Sequence, residues 1–391
     1  MPLSPREHEI ASHLASREEA LIEDLRLHVG LPTGGNHTPA LDETRALFTG
    51  RLERLGAVVE HRPGDPKPEW LRGGTTDATV PPTAVCRREG SGRRILIAGH
   101  LDTVHDPKGP FRSLEIAPDG RTATGPGCVD MKGGLVIAMA ALEALHDLGV
   151  EVAWTVILNS DEETGTFHSA AHLASEAAVC DFGIALEPAL AGGELAIERK
   201  GSGQFMIETT GRAAHVGRAF RDGVSAVTAL GAALVEIGAE AERGTTINVG
   251  PLEGGAATNA VADRARAWGN VRFENDTEAG AIDAFLGGLE RDGLPGCHVE
   301  RVFNRPAKPL TPEVQAFAAS ARSVAEDLGQ SLPFASTGGV CDGNILQASG
   351  LPTIDTLGVR GGGLHTPEEW IEMASLVERA QLLAILLARL A

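Results

Sequence analysis

Basic residues are scarce in this 391-residue chain: 34 Lys and Arg stand against 53 Asp and Glu, a formal charge of −19 at pH 7. That deficit argues against a nucleic acid or an anionic membrane as partner, since both are polyanions. No close CxxC pair occurs among the five cysteines, Cys86, Cys128, Cys180, Cys297 and Cys341. Their odd number and wide spacing fit free thiols in a reducing cytosol, so a cytoplasmic location is expected. No apolar stretch approaches the roughly 20 residues of a membrane span. The N-terminal run Met1-Pro2-Leu3-Ser4-Pro5-Arg6-Glu7-His8 lacks the apolar segment of a secretory signal. Internal repeats and low-complexity tracts are missing too. So are the GxGxxG and GKT/GKS patterns of nucleotide sites.

What is present is enough apolar material for a sizeable core, 42% of the chain. At this length two domains are expected. Residues 5 to 60 read as two helices, the second following Pro39, continuing from Leu41 to Leu55 and closed by Gly56, and then a strand from Val58. Residues 62 to 79, rich in Pro, Gly and Thr, read as a loop. Beyond them, Ile95–Gly99 predicts a strand, Lys132–Leu148 a helix closed by Gly149, and Trp154–Leu158 a strand buried on both faces. Alternating strands and helices predict βαβ units and a mainly parallel sheet. Near residue 199 the pattern becomes β-α-β-β-α-β, the order of a ferredoxin-like module. From about 307 the α/β pattern resumes, with a helix over Pro312–Leu328, a strand at Thr353 and a last helix from Trp370 onward. The expected organisation is an α/β domain formed by 1–198 and 307–391, with 199–306 inserted as an α+β module.

Four of the expected strands end in, or lead to, metal-binding residue types. His100-Leu101-Asp102 follows one, Asp161-Glu162-Glu163 another, Glu187 a third, and Thr353 leads through Gly361-Gly362-Gly363 to His365. Asp130 precedes a helix. Each has an ordinary alternative. His100 and Asp102 share a strand face and could be a simple hydrogen-bonded pair, and Asp130 could be a helix N-cap. The three acids could be a surface turn, Glu187 could reach solvent, and His365 could be structural. Open α/β sheets, however, bind ligands at the carboxyl ends of their strands. Two histidines and several carboxylates gathered at that end point to a metal centre with acid–base capacity to spare, hence to hydrolysis.

These residues sit in the motifs GHLDTV (99–104), GPGCVDMKGG (125–134), NSDEETGT (159–166), ALEPA (185–189) and GGLHTPEE (362–369). In them the chain resembles the zinc-dependent exopeptidases and deacylases that include glutamate carboxypeptidase, aminoacylase, acetylornithine deacetylase and succinyl-diaminopimelate desuccinylase. The folate-cleaving glutamate carboxypeptidase branch is the nearest. The resemblance runs nearly end to end and is weakest over residues 1 to 90. It implies two zinc ions, with cobalt or manganese as possible substitutes: His100, Asp130 and Glu187 on one, Asp130, Glu163 and His365 on the other. It further implies Glu162 as general base, Asp102 orienting His100, and His215 stabilising the oxyanion, contributed across a homodimer formed by the inserted domain. Asn259, Arg272, Arg305, Gly338 and Gly339 fall at substrate-contacting positions, the arginines facing a free carboxylate on a small-molecule or short-peptide substrate. Met131 stands where relatives often have Asp, and the Asp130–Met131 peptide is expected to be cis. The loop Gly338-Gly339-Val340-Cys341-Asp342-Gly343 departs from the nearest branch and bears on side-chain preference. An N-acyl-amino-acid deacylase would share every ligand. A non-catalytic binding protein on this fold, or a closed structural metal site, would not need Glu162.

Overall fold

The computed structural model describes residues 2–35, 38–71 and 80–391. Three helices, Pro5–Ala15, Glu18–Val29 and Thr38–Arg54, precede the first strand, Val58–Arg62, where two were expected. The break at Ser16-Arg17 keeps near-helical backbone and carries neither Gly nor Pro, so the sequence offers no stop signal there. Part of the expected 62–79 loop, 72–79, lies outside the described residues.

The main sheet has six strands among the described residues, in the order Val58–Arg62, Thr83–Arg88, Trp154–Asn159, Ile95–His100, Phe182–Ala185, Thr353–Ile354. The pairings within the last four strands are parallel, and the two at the Val58 edge are antiparallel. Ile95 to His100 and Trp154 to Asn159 are buried at every position. Their near-continuous apolar runs follow from helices covering both faces. One face packs Ile97, Val156 and Leu158 against Gly133–Asp147 and Ala374–Leu390. The other packs Leu96, Ala98 and Ile157 against Leu173, Ala177 and Leu346. The last helix begins at Ala374, not at Trp370. Trp370–Glu372 instead pairs with Thr122–Thr124 in a small four-stranded sheet, a tertiary pairing that outweighs local helical spacing.

The inserted segment forms its own antiparallel sheet, ordered Thr246–Gly254, Arg264–Phe273, Gly201–Thr210, Gly296–Arg305. That is the ferredoxin-like arrangement. Helices Ala226–Glu242 and Asp276–Gly288 pack on one face over Phe205, Ile207, Ala267 and Val271.

The chain enters and leaves this module through a narrow neck. Arg199 and Lys308 exchange two backbone hydrogen bonds of 2.9 Å, and the Asn344 amide donates to the carbonyls of Lys200 (2.9 Å) and Pro306 (2.8 Å). Behind the neck, fully buried Asp355 accepts from Arg199 Nη2 at 2.8 Å and faces Lys308 Nζ at 3.4 Å. Removing this one anion strands two buried cations, and breaking such a pair typically costs about 3–5 kcal/mol. Asp355→Ala should lower the unfolding free energy by about that much in urea titrations; an unchanged midpoint would contradict the burial of the trio.

Candidate metal centre and cleft

The four adjacent parallel strands of the main sheet deliver their carboxyl ends side by side. The expected ligands His100, Glu163 and Glu187 follow three of these ends, the fourth leads to Asp355 behind the neck, and Asp130 and His365 come from turns. His100 closes its strand and is 2% exposed. Its Nδ1 lies 2.9 Å from the backbone oxygen of Asp102 and 3.5 Å from the Asp102 carboxylate. Its Nε2 lies 3.2 Å from Asp130 Oδ1. Burial opposes a charged imidazole, but the bonds to Asp102 and Asp130 outweigh it and hold the His100 pKa well above its usual value. Asp102 does more than face His100: its carboxylate accepts from the amides of Glu162 (3.3 Å) and Glu163 (3.0 Å). It thereby fixes the acidic turn that follows the neighbouring strand.

Asp130 sits at a non-helical kink in the turn Cys128–Lys132, and its peptide to Met131 is cis, as expected. Its Oδ2 is 3.5 Å from His365 Nε2, which is in turn 3.4 Å from Glu163 Oε2. His365 reaches this position from a left-handed turn, at φ 64°. Glu187 is buried after strand Phe182–Ala185. Gly134 and Gly358 press on its backbone: a Cβ at either would come within 2.2 Å and 2.5 Å of the Leu186 carbonyl.

Donor atoms of His100, Asp130 and Glu163 all lie within 4.8 Å of one another. Burial, reinforced by the Asp130 charge, raises the Glu163 pKa to about 7 and pushes Glu187 well above the usual carboxylate range. Glu163 Oε1 is buried with no hydrogen-bond partner among the described residues. Crowded, desolvated carboxylates with an orphaned oxygen beside two imidazoles form a donor set suited to cations.

Glu369 holds the Asp130 turn. Its buried carboxylate accepts from the amides of Gly127 (3.0 Å), Val129 (2.8 Å) and Asp130 (3.0 Å), and pairs with His105. Glu369 lies within GGLHTPEE, but its role is not legible in the sequence, because its burial and its three amide donors come from the fold. Glu369→Ala should weaken metal affinity by about 10–100-fold, the usual cost of losing a group that orients a ligand, as read by competition with a chromogenic chelator.

Glu162 stands beside this donor cluster and opens onto a cleft of about 550 Å³ lined also by Glu163, His365, Gln204, Asn270, Arg272 and Arg305. Arg305 is 2% exposed and donates to Glu162 Oε1 at 2.8 Å and to the Glu162 carbonyl at 3.0 Å. Arg272 bonds Ser202 and forms no ion pair among the described residues. Gly339 and Val340 line the cleft, while Gly338 faces a separate recess beside Glu198. Asp342, expected in a specificity loop, is buried and accepts from Asn159 (2.6 Å) and Thr166 (2.8 Å). It braces the 159–166 motif from behind. His215 and Asn259 lie together at the exposed end of the inserted module, where Val216 N donates to the Asn259 carbonyl. Neither lines the cleft of this chain.

The pattern that defines Peptidase family M20/M25/M40 matches residues 96–389. Carboxypeptidase G2 of a Pseudomonas species is 26% identical over 98% of this chain and 92% of its own length. Succinyl-diaminopimelate desuccinylase 2 of Shewanella loihica is 26% identical over 76% of this chain and 85% of its own. Among solved structures, a tripeptidase from Staphylococcus aureus superposes with a TM-score of 0.76 at 21% identity, covering 95% of this chain and 99% of that one.

Proposed function

Because this chain belongs to Peptidase family M20/M25/M40, a family of metal-dependent hydrolases, we propose that it cleaves an amide or peptide bond next to a free carboxylate. In this reading two divalent ions, zinc by the mixed nitrogen–oxygen donor set, occupy the centre, and cobalt or manganese would suit the same ligands. The observation that carries the reading is the convergence of His100, Asp130, Glu163 and His365 beside Glu162 at the mouth of the cleft.

His100, Asp130 and Glu187 would hold one ion; Asp130, Glu163 and His365 would hold the other. Bound there, the ions would acidify a water and polarise the amide carbonyl. Glu162 takes the proton as the water attacks and passes it to the leaving nitrogen. Arg305 fixes the orientation of that carboxylate through its bond to Oε1. Arg272, the cleft arginine with no ion pair among the described residues, takes the substrate carboxylate in bidentate fashion. His215 stabilises the oxyanion. Its exposed place at the end of the inserted module fits delivery to the cleft of a second copy, with 199–306 serving as the dimerisation domain between 1–198 and 307–391.

The donors must be free of protons to bind metal. In the metal-free protein, bonds to Asp130 and Glu163 raise the His365 pKa to about 10, and burial raises Glu163 to about 7. At neutral pH His365 holds its proton and Glu163 is about half protonated, and a cation must displace these protons. Metal binding should therefore release protons, and apparent affinity should climb as pH rises through 7. Calorimetry in buffers of different ionisation enthalpy reads the release directly; buffer-independent heats would contradict it.

The substrate is tested by initial rates on folate-like, N-acyl-amino-acid and dipeptide substrates, each beside a counterpart with its carboxylate amidated. Selective cleavage of the free acids supports the proposal, and equal rates on the amidated set overturn it. The split between peptides and N-acyl amino acids decides between carboxypeptidase and deacylase.

A further inference from the structure

The exposed face of the inserted sheet is longer than the catalytic cleft that uses it. On strand Arg264–Phe273, residues Ala265, Ala267, Val271 and Phe273 enter the module's own core, so 264, 266, 268, 270 and 272 share the opposite face. Asn270 and Arg272, with Gln204 and Ser202 paired beside them, line the catalytic cleft. Arg264, Arg266 and Trp268, with Met206 and Glu208 beside them, line a second recess of about 640 Å³. One continuous sheet face thus serves two hollows, and the boundary falls between 268 and 270.

Something crosses the face at that boundary. Residues 62–71 leave the edge of the main sheet and are fastened to the segment after the acidic turn. Asp65 N donates to the His168 carbonyl at 2.9 Å, His168 Nδ1 meets the Asp65 carbonyl at 2.5 Å, and His172 Nε2 meets the Pro63 carbonyl at 2.7 Å. The segment then reaches the inserted sheet, where Trp268 Nε1 donates to the Trp70 carbonyl at 2.7 Å. Lys67 lines the catalytic cleft; Glu69, Trp70 and Leu71 line the second recess. The two hollows lie on opposite sides of this one strap.

We propose that residues 62–71 are a partition that ends the catalytic cleft at Trp268 and thereby limits the length of substrate the enzyme accepts. The proposal rests on the hydrolase reading above. From Arg272 to Trp268 the strand advances about 13 Å. A substrate whose carboxylate is held at Arg272 therefore meets the strap after a few residues. Without the strap the face would run on into the second recess.

The test uses the full chain in its metal-loaded form, with Trp268→Ala removing both the donor and the ring under the strap, and Trp268→Phe removing the donor alone. Peptides of two to eight residues are assayed with each protein. Wild-type kcat/KM should fall at least about tenfold from the shortest to the longest, roughly 1.4 kcal/mol of discrimination. In Trp268→Ala that fall should shrink to less than about threefold while dipeptide turnover stays within about twofold of wild type; Trp268→Phe should lie between. An identical length profile in all three proteins overturns the partition. Hydrogen exchange of residues 65–71 reads the strap without any catalysis. It should be slow in wild type and at least about tenfold faster in Trp268→Ala, and equal exchange in both overturns the partition whatever the protein hydrolyses. Failure of wild type to cleave even dipeptides, with the exchange difference intact, counts against the peptidase branch of the hydrolase reading and not against the strap.

Discussion

Glu162→Gln lowers kcat by about 10²–10⁴-fold and leaves metal content unchanged: this is the expected result of removing the proposed general base, which stands outside the proposed ligand set. The geometry separates the two neighbouring glutamates. Glu163 Oε2 lies 3.4 Å from His365 Nε2, within the ligand cluster. Glu162 points instead to Arg305 and the cleft. Glutamine keeps the shape and can still meet Arg305 through its amide oxygen, so the fold has little reason to change. It offers no carboxylate to take a proton from water. Rates with a saturating substrate, beside metal analysis of the same preparation, check the outcome. Activity within a few-fold of wild type would remove Glu162 from the chemistry, and loss of metal along with activity would make it a ligand.

Asp130→Ala has the other large effect, on binding more than on shape. One carboxylate oxygen of Asp130 faces His100 and the other faces His365. In the proposed centre its loss would remove a donor from both ions. A ligand that binds only the folded state stabilises it by about 2.7 kcal/mol at a hundred times its dissociation constant. Wild type should gain at least that on addition of zinc, and Asp130→Ala should gain almost nothing at the same concentration. Thermal unfolding with and without added metal reads the difference. Equal stabilisation of both proteins would mean that the metal sits elsewhere.

Much of this site was legible before any coordinates. A strand buried on both faces announces itself as an apolar run, so the carboxyl ends of Ile95–His100 and Trp154–Asn159 could be located and their polar successors noted. The ferredoxin-like order of the insert was likewise readable from alternation and helical spacing. What the sequence withheld are features set by contacts between distant segments. Trp370–Glu372 looks helical until Thr122–Thr124 pairs with it. Glu369 is one more acid until three amides from 127–130 converge on it. Arg305 resembled a substrate contact, and only the fold shows it lying against Glu162 and shielded from solvent. The 62–71 strap is a polar loop by composition. Its bond to Trp268 joins residues 198 positions apart.

The central claim is that His100, Asp130, Glu163, Glu187 and His365 form a metal centre that does the hydrolysis. Titration of zinc into metal-depleted wild-type protein, with activity followed at each addition, tests it most directly. The account predicts no turnover without metal, and activity that rises to saturation at two ions per chain. Turnover in the metal-depleted protein, or tight uptake of zinc with no activity on any amide bearing a free carboxylate, would contradict it.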